Sequence, residues 1–175
     1  MGAIPVALLG VAFLSACGTP AMLPAGGVGH DYLVLDVSAG HYSSHLVPGL
    51  GDDKQFSATV RISQPRRTTQ WMPLMNLCVH GANVRDRACV SFAAPEGDVG
   101  YVDAVAELGG KASPRRRLGA SFRLNQAMNV VIKPEARGFS VLRDGVQIYS
   151  GQTDFDVVGY GLDCASARCE FAVAG

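Results

Sequence analysis

The sequence predicts an all-β protein built as an antiparallel sandwich of two sheets. From His30 onward, short apolar segments with period-two alternation recur about every 8–12 residues, and no segment shows a clear helical period. Gly is frequent, with 21 copies in 175 residues, and suits the many turns that such a fold needs. The pair Asp144-Gly145, flanked by strand residues, is a two-residue hairpin signal.

The first third of this region predicts two strands and a long loop. Residues 32–37 read as a strand that ends at the turn residues 38–40. Residues 41–55 are rich in His, Ser, Gly and Asp and predict a loop. Residues 56–62 alternate with Phe, Ala, Val and Ile on one face, which predicts a half-buried strand.

The middle of the chain predicts further strands. A turn at 64–67 precedes the apolar segment 71–79, in which Pro73 indicates an edge or a bulge. Residues 88–92 form the next predicted strand, and residues 101–108 fit a strand better than a short helix.

The last third contains the hairpin. A basic loop is expected at 109–117, followed by strands at 121–124 and 128–133, and by further strands at 157–160 and 170–173. In the hairpin at 139–151, the predicted register places Arg143 opposite Val146 and Val141 opposite Ile148.

Charge and composition narrow the function classes. Lys plus Arg and Asp plus Glu each total 15, so the formal charge is zero. A nucleic-acid-binding domain normally carries a strong basic excess, so we expect no nucleic-acid partner. Twelve of the 15 basic residues are Arg, whose planar guanidinium suits carboxylate or phosphate groups.

The amino terminus resembles a lipoprotein signal peptide. Residues 2–16 are uncharged and end in small residues, and Leu14-Ser15-Ala16-Cys17 is similar to the lipobox of bacterial lipoproteins. The resemblance implies a signal peptide at 1–16, a lipid acceptor at Cys17, a Gly/Pro-rich tether at 17–29 and a domain at 30–175. An ordinary secretory peptide is the alternative.

The same resemblance implies a location. Several acyl chains on Cys17 would hold the protein on a membrane almost irreversibly. The residue after the cysteine is Gly18. An aspartate at this position would resemble the signal that retains lipoproteins in the inner membrane. We therefore expect a lipid-anchored protein of the bacterial cell envelope, at the outer membrane.

The remaining four cysteines form an even set: Cys78, Cys89, Cys164 and Cys169. An oxidising compartment favours disulfides. Of three possible connectivities, pairing within each local pair is favoured because each pair brackets a turn. The spacing does not match a zinc site.

The order of segments resembles a known class of sandwich. Residues 56–151, with "WMPL", "CVSF" and "FSVLRDGVQIYSG", look like concanavalin A-like and laminin-G-like jelly rolls. The resemblance implies a lectin-type jelly roll, and an immunoglobulin-like sandwich is the alternative.

We expect no catalytic site and no cofactor. The hydrolases of the concanavalin A-like class carry a Glu-x-Asp-x-x-Glu strand motif, which is absent here. His80, Asn83 and Arg85 resemble the galectin sugar motif His-x-Asn-x-Arg with one extra residue. That insertion moves His80 to the opposite face of a strand, so a disulfide-closed turn is expected instead. His41 and His45, near Asp31 and Asp36, are expected in a solvated loop and not in a metal site.

Candidate ligand-binding residues are aromatic or basic. Trp71, the only tryptophan, is either a stacking platform for a sugar or part of the core. Arg66 and Arg67, with the run Arg115, Arg116 and Arg117, are candidate contacts for anionic glycans, lipid phosphates or an acidic protein.

Together these observations predict a non-catalytic, membrane-anchored envelope lipoprotein. Its sandwich domain would bind carbohydrate or another cell-envelope ligand. The alternative is a protein-binding lipoprotein, such as a hydrolase inhibitor or immunity factor.

Overall fold

The computed structural model describes residues 30–48 and 55–174. These residues lie within the predicted domain at 30–175. The predicted signal peptide at 1–16, Cys17 and the tether at 17–29 lie outside the described residues, so these expectations stay predictions.

Thirteen β-strands account for the regular structure of the described ranges, and no helix there has the length and apolarity to cross a membrane. The strands are β1 His30–Asp36, β2 Tyr42–Pro48, β3 Phe56–Ser63, β4 Leu74–His80, β5 Arg87–Ala93, β6 Val99–Leu108, β7 Lys111–Ala112, β8 Arg116–Arg123, β9 Met128–Glu135, β10 Gly138–Arg143, β11 Val146–Gln152, β12 Gly159–Ala165 and β13 Arg168–Ala174.

The strands form two antiparallel sheets. The six-stranded sheet has the order β1-β13-β3-β9-β10-β11. The seven-stranded sheet has the order β2-β12-β4-β5-β6-β7, and β8 pairs with the same edge of β6 as β7 does. The predicted all-β antiparallel sandwich is therefore confirmed.

The hydrophobic core lies between the sheets. In β3, the alternation of Phe56, Ala58, Val60 and Ile62 places all four side chains in the core, as predicted. Side chains from β4, β5, β12 and β13 meet them, and among the fully buried ones are Leu77, Val90, Leu162 and Phe171. This burial supplies the main driving force for folding.

The centre of the seven-stranded sheet is buried on both faces. Every residue of β12 is buried, and so are all residues of β4 and β5 except the first of each. Polar residues on the outer face of these strands, among them Asn76, Ser91 and Asp163, are therefore buried as well. Such a covered polar face is unusual, because buried polar groups need partners.

Two predicted loops contain strands. The loop prediction for 41–55 is wrong at 42–48, where β2 pairs with β12 along its whole length. The Ser and His residues there have weak strand propensity, but pairing at the edge of a sheet overrides it. The loop predicted at 109–117 is likewise interrupted by β7 and by the start of β8.

The hairpin prediction is correct in its turn and wrong in part of its register. Asp144 and Gly145 both have positive φ, at 50° and 81°, and Arg143 lies opposite Val146 as predicted. Val141, however, lies opposite Tyr149 and not Ile148, because a bulge shifts the register between Val141 and Leu142.

Both disulfides join the local pairs. Cys78 on β4 lies directly opposite Cys89 on β5, and the two are bonded. Cys164 and Cys169 are bonded across the turn between β12 and β13. The favoured local connectivity is thus the one the structure has.

Candidate functional site

The outer face of the seven-stranded sheet carries a row of polar side chains that crosses six strands. Each member lies opposite the next in the strand register, from β2 through β12, β4, β5 and β6 to β8. The row consists of Ser44, Asp163, Asn76, Ser91, Asp103 and Arg117.

Asp163 is the centre of this row. Its side chain accepts hydrogen bonds from the Ser44 hydroxyl at 2.6 Å and from Asn76 Nδ2 at 3.1 Å. Arg87 Nη1 lies 3.5 Å away, and Arg87 Nε is also paired with Glu107 Oε2 at 2.8 Å. Arg87 therefore bridges two carboxylates on different strands, which fixes the guanidinium in place.

Tyr42 and His80 lie around the same centre. The Tyr42 hydroxyl accepts a hydrogen bond from Arg87 Nη1 at 3.4 Å. Burial and the neighbouring Asp163 carboxylate raise the pKa of Tyr42 to about 12. Burial also lowers the pKa of His80. At neutral pH the phenol and the imidazole are both uncharged, and Arg87 supplies the positive charge beside them.

An apolar cavity of about 200 Å³ lies beside the polar row. Its walls include Trp71, Met72, Leu74 and Tyr101, together with Arg115. Trp71 is 43% exposed, so it is not part of the core, and its indole is open for stacking.

A tight turn holds Trp71 in this position. The Thr68 hydroxyl accepts a hydrogen bond from the Trp71 backbone N–H at 2.9 Å, and the Thr68 N–H donates to the Trp71 carbonyl at 3.0 Å. The Tyr101 hydroxyl, in the same cavity, donates to Met72 Sδ at 3.7 Å. Tyr101 also lies under Arg117, whose Cζ is 3.1 Å from the ring centroid. Both aromatic walls are thus held by contacts within the protein.

A smaller polar cavity of about 120 Å³ lies on the same face. Asn76, Arg87 and Glu107 line it, with the disulfide-bonded Cys89 and again Arg115. Arg115 lines both cavities, which are therefore neighbours on this face, and we call the two cavities together the groove.

The floor of the groove contains polar atoms without partners. Asn76 is 7% exposed, and its Oδ1 has no hydrogen-bond donor among the described residues. Ser91 Oγ, fully buried next to it in the row, likewise has none. A buried acceptor without a donor is costly.

The five arginines predicted as ligand contacts do not lie together on one surface. Arg66 pairs with Asp36 and donates to the Val37 carbonyl, while Arg67 donates to the carbonyls of the 94–97 loop. Both hold loops in place, away from the groove.

The three arginines of the basic run 115–117 also lie in different surroundings. Arg116 lies over Tyr149 of the six-stranded sheet, with its Cζ 5.3 Å from the ring centroid. Arg117 pairs with Asp103 at 3.0 Å. Arg115 alone of the three lines the groove and makes no hydrogen bond or ion pair with the described residues.

The segment after β4 is a disulfide-closed turn, as expected. The Asn83 side chain accepts from the Arg85 backbone N–H at 3.0 Å, and the Asp86 N–H donates to the Asn83 carbonyl. Neither Asn83 nor Arg85 lines the groove cavities. His80, at the start of this segment, does lie on the outer face, against Gly161 of β12.

Two groups of side chains have residue types that metal ions bind. Cys78, Cys89 and Asp163 lie close enough together to share a metal ion. The two sulfurs are bonded to each other, however, and offer no thiolate ligand. His45 lies on β2 and His41 just before it, so the loop expected around them is partly strand.

Sequence reasoning missed most of the groove. Asn76, Arg87, Glu107 and Asp163 come from four different strands, and no local motif joins them. The only signal in the sequence was the presence of polar residues inside otherwise apolar strand segments, such as Asp163 in "YGLDCA".

Comparisons with known proteins show the fold. No family model and no curated protein matches the sequence. Among solved structures, the chain is similar to the alginate lyase AlyC3, with a TM-score of 0.55 and 14% identity over 82% of this chain and 72% of that one. It is also similar to the Caenorhabditis elegans galectin LEC-6, with a TM-score of 0.54 and 10% identity over 81% and 96% of the two chains.

A third similar structure is CG-16, a homodimeric agglutinin from chicken liver. Its TM-score is 0.50 at 15% identity, over 83% of this chain and 97% of that one. At sequence identities this low, the similarity to these structures shows a shared fold and no more. The chain has the lectin-type jelly-roll sandwich, and not the immunoglobulin-like alternative.

Proposed function

We propose that this protein is a carbohydrate-binding module whose ligand lies in the groove. The observation that carries the proposal is the amphipathic character of the groove. Trp71 and Tyr101 offer aromatic surface in the apolar cavity, and Arg87 and Arg115 offer hydrogen-bond donors in the polar cavity. A sugar ring has the same division, with C–H groups on its faces and hydroxyls around its edge.

The polar row supports this proposal through preorganisation. Asp163 holds Asn76 and Arg87 by contacts already present in the structure. A ligand therefore does not have to order these side chains, which lowers the cost of binding. Arg87, whose side chain is 31% exposed in the polar cavity, would donate a hydrogen bond to a ring hydroxyl.

The jelly-roll fold is consistent with this proposal. Two of the similar structures are a galectin and an agglutinin, and the third is an alginate lyase. We keep the expectation that the present protein binds without catalysis. We also propose that a lipid on Cys17 anchors it to the bacterial outer membrane, so that the groove faces ligands of the cell envelope.

The test is glycan binding by the wild type and by two variants. A glycan array identifies a ligand, and calorimetry then measures its affinity for Trp71→Ala and for the control Val146→Ala. Val146 is 68% exposed on the hairpin of the other sheet. We expect loss of the aromatic platform to cost about 2 kcal/mol, roughly thirtyfold in Kd, and the control to bind like the wild type.

Two results would contradict the proposal. One is a wild-type protein that binds no glycan but copurifies with a protein partner, which favours the inhibitor or immunity-factor alternative. The other is glycan binding that Trp71→Ala leaves unchanged, because the ligand would then lie outside the groove.

A further inference from the structure

Two ion pairs on the outer face of the seven-stranded sheet are arranged in two layers. Arg117 is 56% exposed at its side chain, whereas its partner Asp103 is 6% exposed. Arg87 is 31% exposed, whereas Asp163 beneath it is 1% exposed. The cations therefore face outward and these carboxylates lie below them. A ligand approaching this face therefore meets these two guanidinium groups before Asp103 and Asp163.

Arg115 adds a positive charge that nothing in the described chain neutralises. It lies where the apolar and polar cavities join, and it is exposed. Glu107, the carboxylate that lines the polar cavity, is already paired with Arg87 at 2.8 Å. No Asp or Glu is among the described residues that line the apolar cavity beside Trp71.

We propose that the ligand is an acidic glycan, and that Arg115 binds the carboxylate or sulfate group on one of its sugar rings. The inference rests on the proposed carbohydrate-binding function and specifies its ligand class. The planar guanidinium can donate two parallel hydrogen bonds to such an oxyanion, which gives both strength and orientation.

The position of Arg115 also orients the chain of sugars. A ring stacked on Trp71 in the apolar cavity would have Arg115 at its edge, and a neighbouring ring would reach the polar cavity beside Arg87. The oxyanion of an acidic sugar would then lie beside Arg115, where the two cavities meet.

The experiment measures binding of the full chain to matched acidic and neutral oligosaccharides. The carboxylate probes are oligomers of galacturonate, mannuronate, guluronate and glucuronate-containing units, and fully methyl-esterified oligogalacturonate is the neutral match. A sulfated oligosaccharide separates sulfate from carboxylate recognition. The variants are Arg115→Ala, Arg115→Lys and the control Arg116→Ala, which removes the same charge from the adjacent residue on the Tyr149 side.

We expect at least one acidic probe to bind, and Arg115→Ala to weaken it about tenfold or more. Arg115→Lys should bind more tightly than Arg115→Ala, since lysine keeps the positive charge but lacks the two parallel N–H donors of the guanidinium. Arg116→Ala should change affinity only slightly. Raising the salt concentration should weaken wild-type binding more than Arg115→Ala binding.

Other outcomes separate this inference from the function on which it rests. Binding of neutral glycans alone, or acidic binding that Arg115→Ala and Arg116→Ala reduce equally, overturns the Arg115 assignment but leaves carbohydrate binding intact. Failure of every acidic and neutral glycan overturns the proposed function itself. Circular dichroism of each variant establishes that a loss of binding does not come from unfolding.

Discussion

Replacing Asp163 should weaken both the fold and the groove in graded steps. The carboxylate is fully buried, accepts hydrogen bonds from Ser44 and Asn76, and lies 3.5 Å from Arg87. Asp163→Asn keeps the shape, because its amide oxygen can face Asn76 and Arg87 while its NH₂ donates to the Ser44 hydroxyl. Asp163→Ala leaves all three groups without this acceptor.

The sizes of the two effects follow from those contacts. Asp163→Asn removes only the charge, and we expect a loss of about 1–2 kcal/mol in the free energy of unfolding. Asp163→Ala also removes the acceptor and opens a cavity, for a loss of about 3 kcal/mol. The loss stays at the lower end of the range for a broken buried pair, because Arg87 keeps its bond to Glu107.

Urea unfolding with the disulfides intact measures these free energies, and calorimetry measures glycan affinity for the same variants. Asp154→Asn, an exposed carboxylate outside the groove, is the matched control. The reasoning would be refuted if Asp163→Ala cost less than about 1 kcal/mol, or if glycan affinity stayed at the wild-type value once Asn76 and Arg87 had lost their common acceptor.

Three further predictions concern other parts of the chain. Burial alone would raise the pKa of Glu170, but hydrogen bonds from Arg61, Ser63 and Tyr32 lower it. The stabilising effect of the Glu170 carboxylate is therefore complete above the ordinary glutamate pKa and is lost as the pH falls through the lowered pKa. In urea unfolding, the free energy of unfolding of Glu170→Gln should fall less in acid than that of the wild type. An equal fall in both proteins would contradict this. Gly145→Ala should cost about 1 kcal/mol in urea unfolding, because φ is +81° and no atom lies within 4 Å of an added Cβ; an effect near zero would mean that the turn relaxes. Cys17→Ser should move the protein from the membrane to the soluble fraction, and palmitate labelling that persists in this variant would rule out the lipid anchor.

Several elements of the fold could be predicted from local patterns. The alternation in 56–62 was sufficient to identify β3 and its buried face. The pair Asp144-Gly145 identified a hairpin, because few residues tolerate positive φ at both positions of a tight turn. The bulge beyond it was not predictable, since no residue in 139–151 marks where the extra residue falls.

Other elements depended on partners far along the chain. Residues 42–48 are polar enough to suggest a loop, and they form a strand because β12 pairs with them. Similarly, the run Arg115, Arg116 and Arg117 reads as one basic patch, yet the residues lie in three different environments. Neither result follows from residue type alone.

The sequence by itself determined the class of the fold, because alternation of apolar and polar residues requires only neighbours in the chain. It also determined which cysteines pair locally and which residues form the tight turn, since both depend on short separations. The tertiary structure decided the groove. Ser44 and Asp163 are 119 residues apart and become hydrogen-bonded only when β2 and β12 pair. Long-range pairing also brings Arg115 and Trp71 to one surface, because strand order in a sheet is set by packing of the whole chain.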